Sequence, residues 1–366
     1  MPSCHNDGFK KKAVPLDLSF YSGKKVFVTG HTGFKGSWLS LILHNLGAET
    51  MGYSLEPPTS PNLYEIAKIP DIVKTEYGDI RDFEHLSKCM MDFNPEVIIH
   101  LAAQPLVLDG YKRPKETFET NIMGTVNVLE ASRKIPGVES VLNVTTDKVY
   151  FNLEKAGYGY RETDQLDGFD PYSNSKSCSD LITHSYFNSF FAPSGIPVST
   201  ARAGNVIGGG DFAENRIIPD CIRAALSSKT LEVRNPDSIR PYQHVLEPLF
   251  AYLTIASKQA SDINLAGAYN IGPNDCDCIT TGRLVELFAQ KWGDEFNWID
   301  GSEPSAPHEA TYLKLNSEKM KKTFGWQPHW NVENAVDATI DWAKCYASDG
   351  DIVSEMGRQM NDYLTI

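Results

Sequence analysis

The sequence lacks an excess of basic residues. Its 34 lysines and arginines are outnumbered by 47 aspartates and glutamates, which gives a formal net charge of −13. Non-specific nucleic-acid binding requires clustered lysine and arginine, so an acidic chain is a poor candidate for it. The basic cluster at residues 10–12 lies in a polar N-terminal stretch and is interpreted as part of a solvated leader. We therefore expect no nucleic-acid partner.

Long apolar runs are also missing. None approaches the roughly 18 residues that a membrane-spanning helix needs, and the apolar stretch at residues 13–16 is too short for a signal-peptide core. The seven cysteines are odd in number and scattered, which is typical of reduced thiols in a cytoplasm. Cys276 and Cys278 are close in sequence, but no second pair or nearby histidine completes a metal site. We predict a cytoplasmic protein without a membrane partner or a metal.

What the sequence does contain is ordinary globular composition over 366 residues, 41% of them hydrophobic, enough for two domains or one large one. Short apolar segments alternate with helical periodicities, which predicts an α/β fold with a Rossmann-like, doubly wound parallel sheet. Residues 97–103 are nearly all apolar, as expected of a strand covered on both faces. His100 within that segment is interpreted as a core histidine rather than a catalyst.

Three glycines near the N-terminus, Gly30, Gly33 and Gly36, follow a β-branched segment and precede apolar residues at helical spacing. In such a unit the glycines permit a tight turn, approach of a pyrophosphate and close packing of helix on strand. The helix N-terminus also presents N–H groups to phosphate. The pattern predicts a dinucleotide site. Residues 52–54 lack the usual acid for the ribose, and Lys35 could pair with phosphate, so NAD and NADP both stay open.

Four parts of the chain are expected. Residues 1–19 form a polar leader and residues 20–202 a NAD-binding Rossmann domain. Residues 203–350, where the alternating pattern breaks up, form a smaller mixed α/β substrate-binding domain. Residues 351–366 form a C-terminal tail, and residues 241–262 could return to the first domain.

Tyr172 and Lys176 are four residues apart on a predicted helix, so they share a face. A phenol loses its proton near pH 10, and a fixed ammonium favours the phenolate, so this pair predicts a general base for hydride chemistry at a nicotinamide. Thr145 and Thr146 follow the predicted fifth strand, where such sheets bind ligands. Residues 147 and 148 add an acid and a base that simple dehydrogenation does not need, with a surface ion pair as the alternative.

The motifs at residues 30–36, 145–150 and 172–176 resemble those of the extended short-chain dehydrogenase/reductase superfamily. Within it they resemble the CDP-glucose 4,6-dehydratases, and residues 240–245 and 308–310 suit that subgroup. Lys148 stands where the dTDP- and GDP-sugar relatives usually have glutamate. The resemblance implies oxidation at carbon 4, elimination of water across carbons 5 and 6, and hydride return to carbon 6. The product, CDP-4-keto-6-deoxyglucose, would serve deoxysugar biosynthesis for O-antigen or lipopolysaccharide.

The resemblance also implies roles for individual residues, with NAD as cofactor, CDP-glucose as substrate and a homo-oligomer (dimer or tetramer) as the assembly. The catalytic residues would be Thr146, Asp147, Lys148, Tyr172 and Lys176. The cofactor-binding residues would be Gly30, Thr32, Gly33, Phe34, Lys35, Gly36, Asp79, Ile80, Ala102, Ala103, Asn121, Thr145, Tyr172 and Lys176. The substrate-binding residues would be Gln104, Asn205, Arg216 and Arg240.

Some positions depart from the pattern. Leu108 and Gly110 stand where arginine and serine are common, with Asp109 between them, and Phe151 stands where glutamate is common. Two alternative functions follow from the same motifs: another nucleotide-sugar dehydratase, epimerase or reductase of the superfamily, or a catalytically silent dinucleotide-sensing protein. Formation of a 4-ketone without net NADH would favour the dehydratase over the other enzymes.

Overall fold

The computed structural model of the chain describes residues 18–293, 296–302 and 310–365. The strands are β1 (Lys25–Thr29), β2 (Glu49–Ser54), β3 (Lys74–Tyr77), β4 (Val97–His100), β5 (Ser140–Thr146), β6 (Val198–Ala203), β7 (Val206–Ile207), β8 (Leu231–Val233), β9 (Ile239–Pro241), β10 (Gln243–His244), β11 (Ala268–Ile271), β12 (Cys278–Thr280) and β13 (Trp298–Asp300). The basic cluster at residues 10–12, and His308 and Glu309 of the motif at 308–310, lie outside the described residues.

The α-helices complete the secondary structure. They are α1 (Phe34–Asn45), α2 (Leu63–Ile66), α3 (Phe83–Phe93), α4 (Val107–Lys112), α5 (Pro114–Phe118), α6 (Gly124–Ser132), α7 (Pro171–Tyr186), α8 (Ile217–Leu226), α9 (Leu246–Ser261), α10 (Thr281–Trp292), α11 (Glu318–Phe324), α12 (Val332–Ala347) and α13 (Ile352–Leu364). A π-helical turn at Glu119–Met123 joins α5 to α6, so the helix expected to end near residue 133 is continuous but irregular.

Seven strands form the main sheet in the order β11-β6-β5-β4-β1-β2-β3. All of its neighbouring strands pair in parallel. The order reverses at β1, because β2 and β3 lie on one side of it and β4, β5 and β6 on the other. This arrangement confirms the predicted doubly wound α/β fold, which binds ligands at such a reversal point.

Both faces of the sheet are covered, which explains why its strands are apolar at nearly every position. Val26 and Val28 of β1 pack into the core that contains residues of α1 and α9. Phe27, between them, points to the other face and packs with residues of α3 and α6. His100, at the end of β4, is buried and contacts Thr29 Oγ1 through Nδ1 at 2.7 Å, as expected of a core histidine.

The C-terminal half of the chain contributes to the main sheet as well as to a separate core. Helix α9 packs against the sheet within residues 241–262, and β11, beyond that segment, becomes the edge strand beside β6. Residues 351–366 were expected to be a tail, but they contain α13. Its buried Ile352, Met356 and Tyr363 pack into the core of the α1 face. Their helical spacing is what binds this segment to the rest of the protein.

A third core joins β8, α8, α10 and α12 over the carboxyl edge of the sheet. The expected division of the chain near residue 202 stays a prediction. Among the described helices, none combines the length and apolar character needed to span a bilayer.

Candidate active site

The turn between β1 and α1 is closed so tightly that two of its glycines leave no room for a side chain. Gly30 has a φ of +77°, and a Cβ atom there would lie 2.7 Å from the backbone nitrogen of Ala102. A Cβ atom at Gly36 would lie 2.2 Å from the Gly30 carbonyl oxygen. At Gly33 a Cβ atom would meet only that oxygen, at 3.5 Å, so the space over its backbone is open. Tight packing with one accessible glycine is what a dinucleotide cradle requires.

Thr32 and the end of β2 shape the next part of the cradle. The Thr32 hydroxyl is 2.8 Å from Ser54 Oγ and donates to the Leu55 carbonyl oxygen at 3.0 Å, which fixes the turn against β2. A Cβ atom at Gly52 would lie 2.2 Å from the ring of His31, so this ring occupies the space at the end of β2. Sequence reasoning missed His31, although its place between two glycines of the motif could have indicated it.

The residues expected along the cofactor follow β3 and β4. Asp79 forms an ion pair with Arg81 at 2.6 Å, and Ile80 is buried against Gly124. Ala102 and Ala103 follow β4. These four residues therefore lie at the carboxyl edge of the sheet, beside the glycine turn. Direct contact between them and a cofactor stays a prediction.

The side chains of Asn121 and Gln104 form hydrogen bonds with other groups of the protein. Asn121 is buried, accepts from the Gln104 backbone N–H at 2.8 Å and donates to Ser175 Oγ at 2.9 Å. The Gln104 amide donates to Thr117 Oγ1 at 2.9 Å and accepts from the Leu106 backbone N–H at 2.6 Å. Asn121 thus connects the segment after β4 to α7. Gln104 is not among the residues that line the cavity described next, so a direct substrate contact has no geometric support.

One cavity of about 380 Å³ brings together most of the remaining predicted site residues. It lies between the carboxyl edge of the sheet and the third core. The predicted residues that line it are Phe34, Lys35, Thr146, Asp147, Lys148, Tyr172, Asn205, Arg216 and Arg240. Residues as far apart as the glycine turn and β9 therefore face a single space, as a ligand site of ordinary size requires.

Asp147 is fully buried, and only one of its carboxylate oxygens has a hydrogen-bond partner among the described residues. Thr146 Oγ1 donates to Oδ1 at 3.0 Å. Oδ2 has no partner, and a Cβ atom at Gly204 would lie 2.6 Å from it. An unpaired buried oxygen is costly, so its retention at the cavity wall marks Asp147 as a group kept for a ligand. Sequence reasoning missed Gly204 because it lies in a stretch interpreted as loop.

Lys148 reaches over the same carboxylate. Its ammonium is 3.6 Å from Asp147 Oδ1 and donates to Asn205 Oδ1 at 3.4 Å, both long for strong contacts. The Lys148 side chain is 30% exposed, and the carboxylate beside it is buried. The acid and the base predicted from the sequence therefore lie together in the cavity rather than on the protein surface.

Tyr172 and Lys176 lie on α7, but their side chains have different surroundings. Tyr172 lines the cavity, whereas Lys176 is buried and donates to the Val144 carbonyl oxygen at 2.8 Å. Burial, assisted by the charge of Lys35, lowers the pKa of Lys176 to about 8. Burial raises the pKa of Tyr172 to about 12, although the Thr146 hydroxyl favours the phenolate. The phenol thus has a raised pKa rather than the lowered pKa expected, because desolvation outweighs the neighbouring groups.

Two of the predicted substrate residues are arginines from the C-terminal half. Arg216 Nη1 donates to Asp211 Oδ2 at 2.9 Å, and its side chain is 34% exposed. Arg240, on β9, is buried and donates to the backbone carbonyl oxygens of Ile239 and Ala310. Neither arginine is an isolated surface charge, since both line the cavity. Asp211, which sequence reasoning missed, holds Arg216 at the wall.

The positions that depart from the family pattern have structural explanations in part. Leu108 and Asp109 lie on α4 and line the cavity, and the Asp109 carboxylate accepts from Arg113 at 3.0 Å. A Cβ atom at Gly110 would lie 3.1 Å from the backbone nitrogen of the second residue of α7, so a serine there would be tightly packed. Phe151 is 44% exposed, and nothing in the structure explains its presence.

Possible metal ligands lie away from the cavity. Among the described residues, Glu76, His85 and Cys89 place ligand atoms within 4.8 Å of one another, on β3 and α3. His85 is already within 3.0 Å of Glu76 through Nε2. Cys276 Sγ donates to Asp277 Oδ2 at 3.7 Å, and Cys278 Sγ donates to the Asn274 carbonyl oxygen at 3.9 Å. The absence of a metal stays a prediction.

Sequence comparisons give one family and several relatives. The family model for GDP-mannose 4,6 dehydratase matches residues 27–339. The chain is 43% identical over 356 residues to a CDP-glucose 4,6-dehydratase of Salmonella typhimurium, covering 96% of this chain and 99% of that protein. It is 26% identical to a dTDP-glucose 4,6-dehydratase of Shigella flexneri, covering 87% and 92%.

Solved structures share the fold. The dTDP-glucose 4,6-dehydratase of Bacillus anthracis, in complex with NAD, gives a TM-score of 0.73 at 24% identity, covering 90% of this chain and 100% of that one. The UDP-glucose 4-epimerase of Thermus thermophilus, also a complex with NAD, gives 0.76 at 24% identity, covering 87% and 99%. At these identities the likeness establishes the fold alone.

Proposed function

The chain belongs to the GDP-mannose 4,6 dehydratase family, and we propose that it catalyses the 4,6-dehydration of CDP-glucose by internal oxidation and reduction. The observation that carries this proposal is the grouping of Thr146, Asp147, Lys148 and Tyr172 around one cavity. Of the protein side chains, oxidation of an alcohol by NAD needs only the Tyr172 phenol and the Thr146 hydroxyl. Elimination of water also needs an acid and a base. The 43% identity with a CDP-glucose 4,6-dehydratase supports the same reaction and the same nucleotide.

The glycine turn fits NAD as the cofactor. Gly33 leaves open space over the backbone at the N-terminus of α1, where no side chain caps the helix. The pyrophosphate would be held there by backbone N–H groups and the helix dipole. NAD, when bound, accepts a hydride from a sugar carbon and later returns one. Relatives of this fold whose structures are complexes with NAD support that choice.

Tyr172 is the proposed base of the oxidation step. Its phenol takes the proton from the sugar 4-hydroxyl, and Thr146 binds the same hydroxyl. The raised pKa of Tyr172 makes this removal dependent on groups that favour the phenolate, which here are the Thr146 hydroxyl and the charge of Arg216. Lys176, held by the Val144 carbonyl oxygen, is proposed to orient the ribose beside the reacting carbon.

Asp147 and Lys148 are the proposed acid and base of the elimination step. A ketone at carbon 4 acidifies the hydrogen on carbon 5, and Lys148 is the proposed base that removes it. Asp147, whose Oδ2 has no partner among the described residues, is the proposed proton donor to the leaving 6-hydroxyl, so water departs. The two groups are adjacent and face one cavity, which allows both proton transfers without movement of the backbone.

Incubation of the protein with NAD and CDP-glucose deuterated at carbon 4 tests the proposal. A dehydratase gives a 4-ketone, no net NADH, and deuterium on carbon 6 of the product. An epimerase returns the deuterium to carbon 4, and an ordinary dehydrogenase accumulates deuterated NADH. Either of those results would overturn the assignment. Turnover of another nucleotide sugar, with none of CDP-glucose, would overturn it as well.

The assembly is proposed to be a homo-oligomer. Met123, Leu181 and Phe190 are 51%, 53% and 44% exposed, and they lie on or beside the helices α6 and α7. Large exposed apolar side chains on neighbouring helices are typical of a surface that a second copy covers. Light scattering on the purified protein would measure the oligomer size, and a monomer at micromolar concentration would contradict this part of the proposal. The cytoplasmic location stays a prediction.

A further inference from the structure

Lys35 lines the cavity and lies at the start of α1. It is the second residue of α1 and follows directly from the glycine turn. Because the adjoining Gly36 lies so close to Gly30 that no Cβ atom would fit, the backbone at residue 35 has little freedom to move. Its side chain lines the same cavity wall as Asp147 and Tyr172. The Lys35 ammonium is thus attached to the backbone of the glycine turn and lies in the space expected for substrate.

The neighbouring cations in the cavity have partners, but Lys35 has none among the described residues. Arg216 is paired with Asp211 at 2.9 Å. Lys148 lies 3.6 Å from Asp147. No hydrogen bond or ion pair within the described ranges involves the Lys35 ammonium. A half-buried ammonium that lines a cavity and has no protein partner is available to an anionic ligand.

The charges around Lys35 indicate where such an anion would bind. Burial lowers the pKa of Lys35 to about 8. The charges of Arg216 and Lys148 lower this pKa further, and those of Asp147 and Asp211 partly offset the effect. Lys35 and Arg216 both line the cavity but come from separate segments, one from the glycine turn and the other from the residue before α8. Two cations that repel each other across one space are both stabilised when a multiply charged anion lies between them.

We propose that Lys35 and Arg216 together bind the diphosphate of the nucleotide-sugar substrate. The inference rests on the proposed function and adds to it a specificity-determining residue. The turn whose backbone receives the cofactor would then use one side chain to recognise the substrate. The binding of a nucleoside diphosphate would be stronger than that of the nucleoside for this reason, independently of the sugar.

Lys35→Met tests the inference by calorimetry with CDP, cytidine and NAD as separate ligands. We expect the Kd for CDP to rise at least 10-fold, and the Kd values for cytidine and NAD to change less than 3-fold. Lys35→Arg should recover most of the affinity for CDP, since the charge is kept. Lys322→Met is the matched control, because Lys322 is 77% exposed and pairs with Glu318 on α11. It removes the same charge and should leave all three affinities unchanged.

Other outcomes would overturn the inference. A loss of NAD affinity with normal CDP binding would make Lys35 a cofactor residue. Unchanged CDP binding with a lower kcat would place it at the reacting atoms. Arg216→Met should weaken CDP binding as well, and the double variant should lose less than the sum of the two losses, because both charges act on one diphosphate. If the wild-type protein binds CDP through Lys35 but does not dehydrate CDP-glucose, the proposed function fails and this inference stands.

Discussion

Two parts of the site differ in how they treat buried polar groups. On the cofactor side, formed by the ends of β1 and β4 with α6 and α7, His100 is bonded through both ring nitrogens, to Thr29 and Thr125. Asn121 there is bonded through both atoms of its amide. On the substrate side, formed by the residues that line the cavity, including Tyr172 of α7 and Lys35 of α1, Asp147 keeps an oxygen unpaired. Lys35 has no partner within the described residues.

The difference distinguishes residues that stabilise the fold from residues that act in the reaction. Buried polar groups that are bonded inside the protein stabilise one arrangement of the chain. Groups that are buried without partners reduce stability. Where such a group also lines a cavity, as Asp147 does, a ligand can complete its bonding. We therefore expect substitutions on the cofactor side to act mainly on folding and those on the substrate side to act mainly on turnover. The following variants are ordered by the size of the effect expected.

Tyr172→Phe should have the largest effect on turnover. It removes the proposed base and leaves the ring, so kcat should fall by about 10³-fold. The melting temperature and the Kd for NAD should stay close to those of the wild type, because Tyr172 lines the cavity and its ring is kept. Steady-state kinetics and thermal unfolding measure the two quantities. Full turnover in this variant would exclude Tyr172 as the base.

Asp180→Asn should have the largest effect on stability. Arg202 contacts both carboxylate oxygens of Asp180, at 2.8 and 2.7 Å, and both side chains are only 4% exposed. Removal of one charge leaves the arginine buried without compensation, which costs about 3–5 kcal/mol. Urea unfolding should show this loss, whereas kcat of the folded fraction should fall less than 10-fold.

The control for that variant is Glu286→Gln. Its carboxylate pairs with Arg283 at 3.0 Å, but the side chains are 49% and 46% exposed. An exposed pair contributes about 0.2–1 kcal/mol, so this variant should unfold almost as the wild type does. Equal losses of stability in the two variants would contradict the role assigned to burial.

Asp147→Asn should stop the reaction part-way. The oxidation step does not need an acid at this position, but the leaving hydroxyl does, so kcat should fall by about 10²-fold. Reduced nicotinamide bound to the protein should accumulate, and its absorbance is the measurement. The unfolding free energy should change by no more than about 1 kcal/mol. Normal elimination by this variant would show that Asp147 is not the acid.

The sequence allowed the sheet and the strand-end residues to be predicted, because both depend on local pattern. Strands covered on both faces are apolar throughout, and parallel strands bring their carboxyl ends to one edge. Thr146 and Asp147 could therefore be expected at the carboxyl edge of the sheet, and Tyr172 was expected from its spacing with Lys176 on a helix. Their catalytic roles stay predictions. The place of Thr146 and Asp147 follows from the order of the strands, whereas Tyr172 approaches them because α7 packs against β5 and the turn that follows it.

The rest depends on contacts between distant segments. Gln104 matched the family pattern for a substrate residue, but its amide is used by Leu106 and Thr117. The pKa of Tyr172 depends on how deeply the ring is buried, which no spacing of residues encodes. The C-terminal helix α13 had a usable signal in the spacing of its apolar residues. Gly204 had no such signal in the sequence, because its importance is the space that it leaves for the Asp147 carboxylate.

Gly204→Ala should have the smallest effect of the four variants and should act across both parts of the site. The added Cβ atom would lie 2.6 Å from Asp147 Oδ2 and 2.7 Å from Pro241 Cγ, and a ring carbon of proline cannot move away easily. The carboxylate must therefore shift, and a displaced acid should lower kcat by about 10-fold. Gly137→Ala is the control for adding a methyl group, because nothing lies within 4 Å of a Cβ atom there, although its φ of +84° adds local strain. If Gly204→Ala lowers stability but not kcat, the position of the Asp147 carboxylate does not control turnover. The distinction between residues that stabilise the fold and residues that act in the reaction would then fail at Gly204.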